Sequence, residues 1–371
     1  MSVPATSSSR TNRTSTPAPP EPATGHRVDP RQLLSRLLKV QAFQILLVLV
    51  AICIVFSIMS PNAFPGWNNW RQIVQNVSIL AVLGMGMTFV IITGGIDLSV
   101  GSVLVFSGVI SAMTMRSLGG QGWGTAVVGI AVSSGVGLVW GFVNGVLVAK
   151  AKVPPLIVTL GSLGAALGLA EVLTGGINIT AVPSVLTSSI GYGNAFGTTL
   201  PTISVIALIF IAVFGIILHR TKYGLYTYAV GSNEEAARRV GVQVDRQVIS
   251  IYALSGLLAG VAGILSLAQY STTAIAGQSN TNLNVIAAVV IGGTSVLGGY
   301  GTVFGTVVGL FIPAVLQNGF VIIGVQAFWQ QVAVGVVLVA AVYIDQRRRA
   351  SAARGAGGNK TIVGFLFSNK A

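Results

Sequence analysis

Charge is what this sequence has least of. Asp, Glu, Lys and Arg make up only 8% of its 371 residues, against 53% hydrophobic residues and a mean hydropathy of +0.81. So few ionisable groups cannot cover a water-facing surface, which excludes a soluble domain and implies an integral membrane protein. Acidic residues are the scarcer kind, 8 against 21 basic ones, for a net charge of +13. In a soluble chain that balance would suggest nucleic acid. Here the basic residues fall between or outside the apolar runs, where membrane orientation accounts for them, and no nucleic-acid partner is expected.

Other absences narrow the chemistry. Cys53 is the only cysteine, so no intrachain disulfide or thiolate metal site is available. His26 and His219 are the only histidines, too few and too far apart for a metal cluster or an acid-base site. No Ser-His-Asp, Cys-His or paired-carboxylate arrangement is visible. The run Gly355-Ala356-Gly357-Gly358-Asn359-Lys360-Thr361 imitates a phosphate-binding loop, but Asn359 stands where that loop needs glycine, and no buried strand precedes it. The chain is therefore expected to hold no ATP site, metal or cofactor of its own, and not to be an enzyme.

What is present is long apolar sequence. Measured against the roughly 20 residues that cross hydrocarbon, candidate helices lie near 41–59, 76–93, 98–116, 124–149, 155–175, 201–218, 249–269, 283–299, 302–318 and 320–344. The fold class is thus all-α, a polytopic bundle of about ten transmembrane helices. Glycine-rich junctions at 93–98 and 299–302 predict that some are short, broken or re-entrant. Residues 1–38, rich in Ser, Thr, Pro and Ala, read as a disordered tail, and the first apolar run starts too late for a cleaved signal. Residues 39–346 form the membrane domain, and 347–371 a basic tail beginning Arg347-Arg348-Arg349.

Basic residues mark the cytoplasmic side. Arg31, Arg36, Lys39, Lys150, Lys152, an island at 219–250 and the Arg347 run fall on one side, with only Arg71 and Arg116 opposite. That bias predicts a multi-pass protein of the cell membrane with both termini and the island in the cytoplasm. The island is the place where charge interrupts the apolar chain, and it reads as a docking surface for a soluble partner. Within it Glu235-Ala236-Ala237-Arg238-Arg239-Val240-Gly241 predicts a short helix closed by glycine.

Glycine is abundant, 47 residues. Runs at every fourth position, Gly137-Gly141-Gly145 and Gly301-Gly305-Gly309, with shorter ones at Gly256-Gly260 and Gly164-Gly168, predict grooves in which a neighbouring backbone approaches closely. The sharpest local feature is Gly94-Gly95-Ile96-Asp97-Leu98-Ser99-Val100-Gly101-Ser102. The glycine pair ends one helix, and Asp97 is expected to cap the next. A carboxylate inside a membrane costs ~2.5–3.5 kcal/mol on insertion scales, so it needs a partner or a task. A capped hinge and a lining of the substrate pathway, with Asp97 and Ser99 offering hydrogen bonds, both fit. Asn144 is read as an interhelical hydrogen bond or a pathway residue. Phe328, Trp329 and Gln330, followed by Gln331, are either interfacial anchors or a surface that stacks on a sugar.

Together these motifs resemble the membrane permease subunit of ribose-type bacterial ABC importers, in the branched-chain amino acid/ribose permease superfamily. The likeness rests on the Gly94-to-Ser102 motif and on Tyr223-Gly224 leading through Ala229-Val230-Gly231-Ser232-Asn233-Glu234-Glu235-Ala236-Ala237 to Gly241. It rests also on Ala287 to Ser295, including Gly292-Gly293, and on the Phe328 stretch. It covers roughly residues 40–345. The resemblance implies a type II importer fold, a homodimer or a pair with a close relative, an external sugar-binding protein and a cytoplasmic ABC ATPase. It places ATPase coupling on Asn233, Glu234, Glu235, Ala236, Ala237, Arg238 and Gly241. An ion-coupled secondary sugar transporter is the competing reading, with Asp97 as its candidate ion site.

Overall fold

The computed structural model describes residues 41–180, 182–275 and 281–326, with individual residues between 329 and 343. Among the described residues there is no strand, only an isolated bridge between Asn194 and Pro201. The helices are α1 Gln41–Met59, α2 Trp67–Ile92, α3 Val100–Leu118, α4 Trp123–Ala149, α5 Pro155–Thr174 and α6 Thr202–Arg220. After them come α7 Lys222–Ser232, α8 Glu234–Arg239, α9 Val244–Tyr270, α10 Thr281–Ile291 and α11 Val303–Ile322. Seven of these, α2 to α6, α9 and α11, are long and apolar enough to cross a membrane. The protein is a multi-pass all-α membrane protein.

Position in the bundle follows from sequence. In α2 nearly every residue from Val77 to Ile92 is buried, as expected of a helix apolar on all sides. Helix α9 lies beside it and packs on α4, α2 and α3. The outer helices α4, α5 and α6 leave Val139, Phe142, Ile157, Leu160, Leu208 and Ile209 exposed. An outward band of large apolar side chains suits lipid and would be a liability in water.

Two glycine seams hold the bundle. A Cβ on Gly137 would fall 2.2 Å from the Gly256 carbonyl oxygen, one on Gly141 2.2 Å from that of Tyr252, and one on Gly260 2.2 Å from that of Ser133. Helices α4 and α9 therefore meet backbone to backbone, the close approach that small residues at this spacing permit. The second seam joins α10 and α11: Cβ atoms on Gly305 and Gly309 would lie 2.1 Å from the carbonyl oxygens of Gly292 and Ala288. Gly301 sits in the turn before α11 and not on the helix face. Gly164 and Gly168 depart from expectation, because nothing in the chain lies within 4 Å of a Cβ at either position.

The span expected at 283–299 stops at Ile291, leaving α10 eleven residues long. Gly292 fits only because it has no Cβ against Gly305, and Gly293 adopts φ +95, so the helix gives way to turns through 302. The 320–344 span lies mostly outside the described residues. Helix α2 begins nine residues before the expected start and α9 five before, because their polar first turns continue the helix past the apolar run.

Candidate functional site

At one end of the bundle the charged island folds into two short helices. Thr221 caps α7 and Asn233 caps α8, the Asn233 Oδ1 accepting the Ala236 N–H at 2.9 Å. Gly241 closes the segment at φ +87. Ala237 turns inward and is buried with Val230 and Val244, while Glu234, Glu235, Ala236, Arg238 and Arg239 face out beside exposed Val240. The expected short helix is therefore present, with its charge displayed and one alanine as its foot.

Asp245, in the first turn of α9, ties this helix to the bundle. It accepts Arg238, which also pairs with Glu234 at 3.0 Å, and it accepts Lys152 from the α4–α5 turn at 3.2 Å, with Lys150 at 3.9 Å. Arg238 is held above its usual pKa by the hydrogen bonds it donates to Asp245 and Glu234. Exposed pairs such as Glu235 with Arg239 add little stability singly, but the shared Asp245 fixes where α8 points. Lys150, Lys152 and the island thus share one end. Arg71 hydrogen-bonds the Tyr192 carbonyl and Asn194 near the start of α2, some 21 residues and about 30 Å of helix from Ile92.

The second site is the break between α2 and α3. Thr93 ends α2, and Gly94 at φ +80 turns the chain. Asp97 does not cap α3 as expected: the N-cap position is Ser99, and no side chain caps there. Instead the Asp97 Oδ1 accepts both the Ser99 N–H at 2.9 Å and the Ser99 hydroxyl at 2.6 Å, and its Oδ2 accepts the Ser255 hydroxyl at 3.0 Å from α9. Asn144 of α4 donates to the Ser99 Oγ at 3.0 Å, which makes it an interhelical hydrogen bond. Asp97, Ser99 and Asn144 are each at most 2% exposed, and no cation accompanies the carboxylate among the described residues.

Two of the carbonyls released by the break are met by side chains. Ile96 O accepts Thr159 of α5 at 3.3 Å and, weakly, Tyr252 of α9 at 3.5 Å, and Leu98 O accepts Asn282 of α10 at 3.0 Å. Non-helical backbone inside a membrane is tolerated when buried in protein and satisfied in this way. The break is thus a clasp joining α3, α4, α5, α9 and α10. Gly101 is buried in the first turn of α3. Sequence reasoning missed Ser255, Asn282, Thr159 and Tyr252. Ser255 stood beside Gly256 in a run read only for packing.

Trp329 is exposed and donates its backbone N–H to Gln326 O at 3.0 Å. Phe328 and Gln330 lie outside the described residues. Among the described residues no group of three His, Cys, Asp or Glu side chains converges on a point.

Comparison with known proteins gives a consistent picture. Residues 70–342 match the family model described as the permease component of branched-chain amino acid transport systems. The chain is 38% identical over 307 residues to the ribose import permease protein of Escherichia coli (strain K12), covering 82% of this chain and 92% of that one. It is 38% identical over 305 residues to the ribose import permease protein of Bacillus subtilis (strain 168), covering 81% and 92%. It is 35% identical over 313 residues to the fructose import permease protein of Rhizobium meliloti, covering 83% and 86%. No solved structure gives a significant match.

Proposed function

Because the chain belongs to the family of branched-chain amino acid transport system permease components, we propose that it is the membrane-spanning subunit of an ABC importer for a monosaccharide, a pentose or hexose of the ribose class. The names of its relatives support a sugar over an amino acid, since they are ribose and fructose import permeases. The chain does not hydrolyse ATP. A separate cytoplasmic ATPase subunit supplies the energy, and an extracytoplasmic binding protein delivers the sugar.

The observation that carries this reading is α8. It is capped at Asn233, closed at Gly241 and footed on Ala237, and it presents Glu235, Ala236, Arg238 and Val240 outward. A small exposed apolar patch rimmed by charge suits a soluble protein partner. Among the described residues five candidate spans, α2 to α6, precede the island, and with the shorter apolar α1 crossing as a sixth a cytoplasmic N-terminus agrees with a cytoplasmic α8; the tails 1–38 and 347–371 then lie on that side. The permease works as a pair, with itself or a close relative. The Asp97 clasp is the closed gate of the pathway, where Asp97, Ser99 and Asn144 stand with Asn282. The buried Asn282 Oδ1 has no hydrogen-bond partner among the described residues and is free to accept a sugar hydroxyl.

The test is uptake of radiolabelled D-ribose, D-xylose and D-fructose by vesicles holding the permease with its ATPase and binding protein. Uptake that requires ATP hydrolysis, with hydrolysis stimulated by the sugar-loaded binding protein, is the expected result. Uptake that survives without ATP hydrolysis and collapses with an ion gradient would overturn it in favour of an ion-coupled carrier.

A further inference from the structure

Helix α7, directly ahead of α8, touches both broken-helix turns of the bundle. At the first, a Cβ on Gly231 would fall 1.7 Å from the Ile92 carbonyl oxygen, the last of α2. That same oxygen accepts the Gly299 N–H at 2.8 Å, which joins the first break to the second. At the second, a Cβ on Gly298 would lie 2.8 Å from the Gly231 carbonyl oxygen and 2.9 Å from the Gly94 nitrogen, and one on Gly299 2.8 Å from the Ser232 Oγ. The Tyr228 hydroxyl donates to the Gly301 carbonyl at 2.6 Å, two residues before α11 starts.

Three backbones therefore meet directly at Gly231, Gly298 and Gly94, with the Ser232 hydroxyl against Gly299: the end of α7, the turn that leads to Asp97, and the turn that leads into α11. Contacts through flexible side chains absorb a displacement by changing rotamer, whereas stacked peptide groups cannot. Only Asn233 separates α7 from α8, and only Gly95 and Ile96 separate Gly94 from Asp97. Burial pushes the Tyr228 phenol up to about 12, with Tyr300 adding to the effect, so its hydroxyl remains a donor at neutral pH. Gly231 lies in a helix with no positive φ to accommodate, so what glycine supplies there is the contact itself; Gly298 serves the contact and also a φ of +83.

We propose that α7 is the transmission rod of the transporter: the Gly231–Gly298–Gly94 contact and the Tyr228–Gly301 hydrogen bond carry movement of α8 to both helix breaks at once, setting whether the Asp97 clasp is closed. Tyr228 and Gly231 are positioning residues in this scheme and touch neither sugar nor nucleotide. The proposal rests on the coupling role assigned to α8 above.

The experiment uses the full complex in vesicles, with D-ribose as the probe and D-xylose and D-fructose alongside. It compares Tyr228→Phe and Gly231→Ala with Glu235→Lys for ATPase retained on purification, ATP hydrolysed and sugar taken up. Tyr228→Phe is expected to keep the ATPase bound and hydrolysing while uptake falls about 10-fold, within the usual range for loss of coupling between sites. A rise in ATP consumed per sugar at unchanged melting temperature separates lost transmission from lost structure. Gly231→Ala is expected to do the same more severely; should it fail to accumulate, Tyr228→Phe decides alone. Wild-type uptake by Tyr228→Phe, or loss of the ATPase from it, overturns the transmission role. Wild-type uptake by Glu235→Lys overturns the docking role of α8 instead, so the two failures are distinguishable.

Discussion

The Ser255 hydroxyl donates to the Asp97 Oδ2 at 3.0 Å, bridging α9 to the break between α2 and α3. With Ser99 it surrounds a fully buried carboxylate by neutral donors alone. Removing the acceptor leaves three donors unmet, whereas removing one donor leaves two in place.

Asp97→Ala is therefore expected to destabilise the protein by about 2–3 kcal/mol and Ser255→Ala by about 1 kcal/mol, the asymmetry between orphaning buried groups and deleting one bond. Thermal unfolding of the detergent-purified protein checks the order. Equal losses would mean that Asp97 is not held by this network.

The α4–α9 seam predicts a steep size dependence. Gly256→Leu places a side chain where the Gly137 carbonyl stands 2.2 Å from the Cβ, and such a protein is expected not to accumulate in the membrane. Gly164→Leu, with nothing within 4 Å in the chain, is expected to accumulate normally. Immunoblots of membrane fractions distinguish the two.

Replacing the α8 cap, Asn233→Ala, is expected to cost about 1 kcal/mol of local helix stability and to lower the amount of ATPase recovered with the permease. Gly241→Val, forcing a β-branched residue to φ +87, is expected to lower it further. Co-purification yield is the measurement, and unchanged recovery in both would remove α8 from the docking surface.

Burial pushes the Tyr228 phenol up to about 12, so the proton it donates to Gly301 is present throughout neutral conditions. The ratio of Tyr228→Phe to wild-type uptake is thus expected to be flat from about pH 6 to about pH 9, below the range in which even an unperturbed phenol is half ionised. A ratio that changes sharply with pH would mean that Tyr228 ionises and does not serve as a fixed donor.

Much of this architecture was legible because glycine leaves a local trace. The Gly94-Gly95 pair marks the first break, and Gly292-Gly293 with Gly298-Gly299 marks the second, since both need backbone conformations or approaches that other residues resist. The close at Gly241 was similarly local. The partners of the clasp were not. Thr159, Ser255 and Asn282 come from helices 62 to 185 positions away from Asp97 along the chain, and each looks like an ordinary small polar residue in an apolar span. Helix α7 was hidden for another reason. Arg220, Lys222 and the acids after it made its surroundings read as one charged loop, although Tyr223, Thr227 and Val230 give it a face toward the bundle. The role of Asp97 shifted most, since an Asp two residues before an N-cap can close on its own loop as readily as on the first turn.

The seam between α4 and α9 has a mechanical consequence. Two helices whose carbonyls rest on each other's α-carbons cannot shear or roll without collision, so the pair behaves as a single keel. Alternate opening to the two sides of the membrane then has to come from the lighter pieces around it, the short α10, the turns at both breaks and the α7 rod, swinging about an axis that stays still.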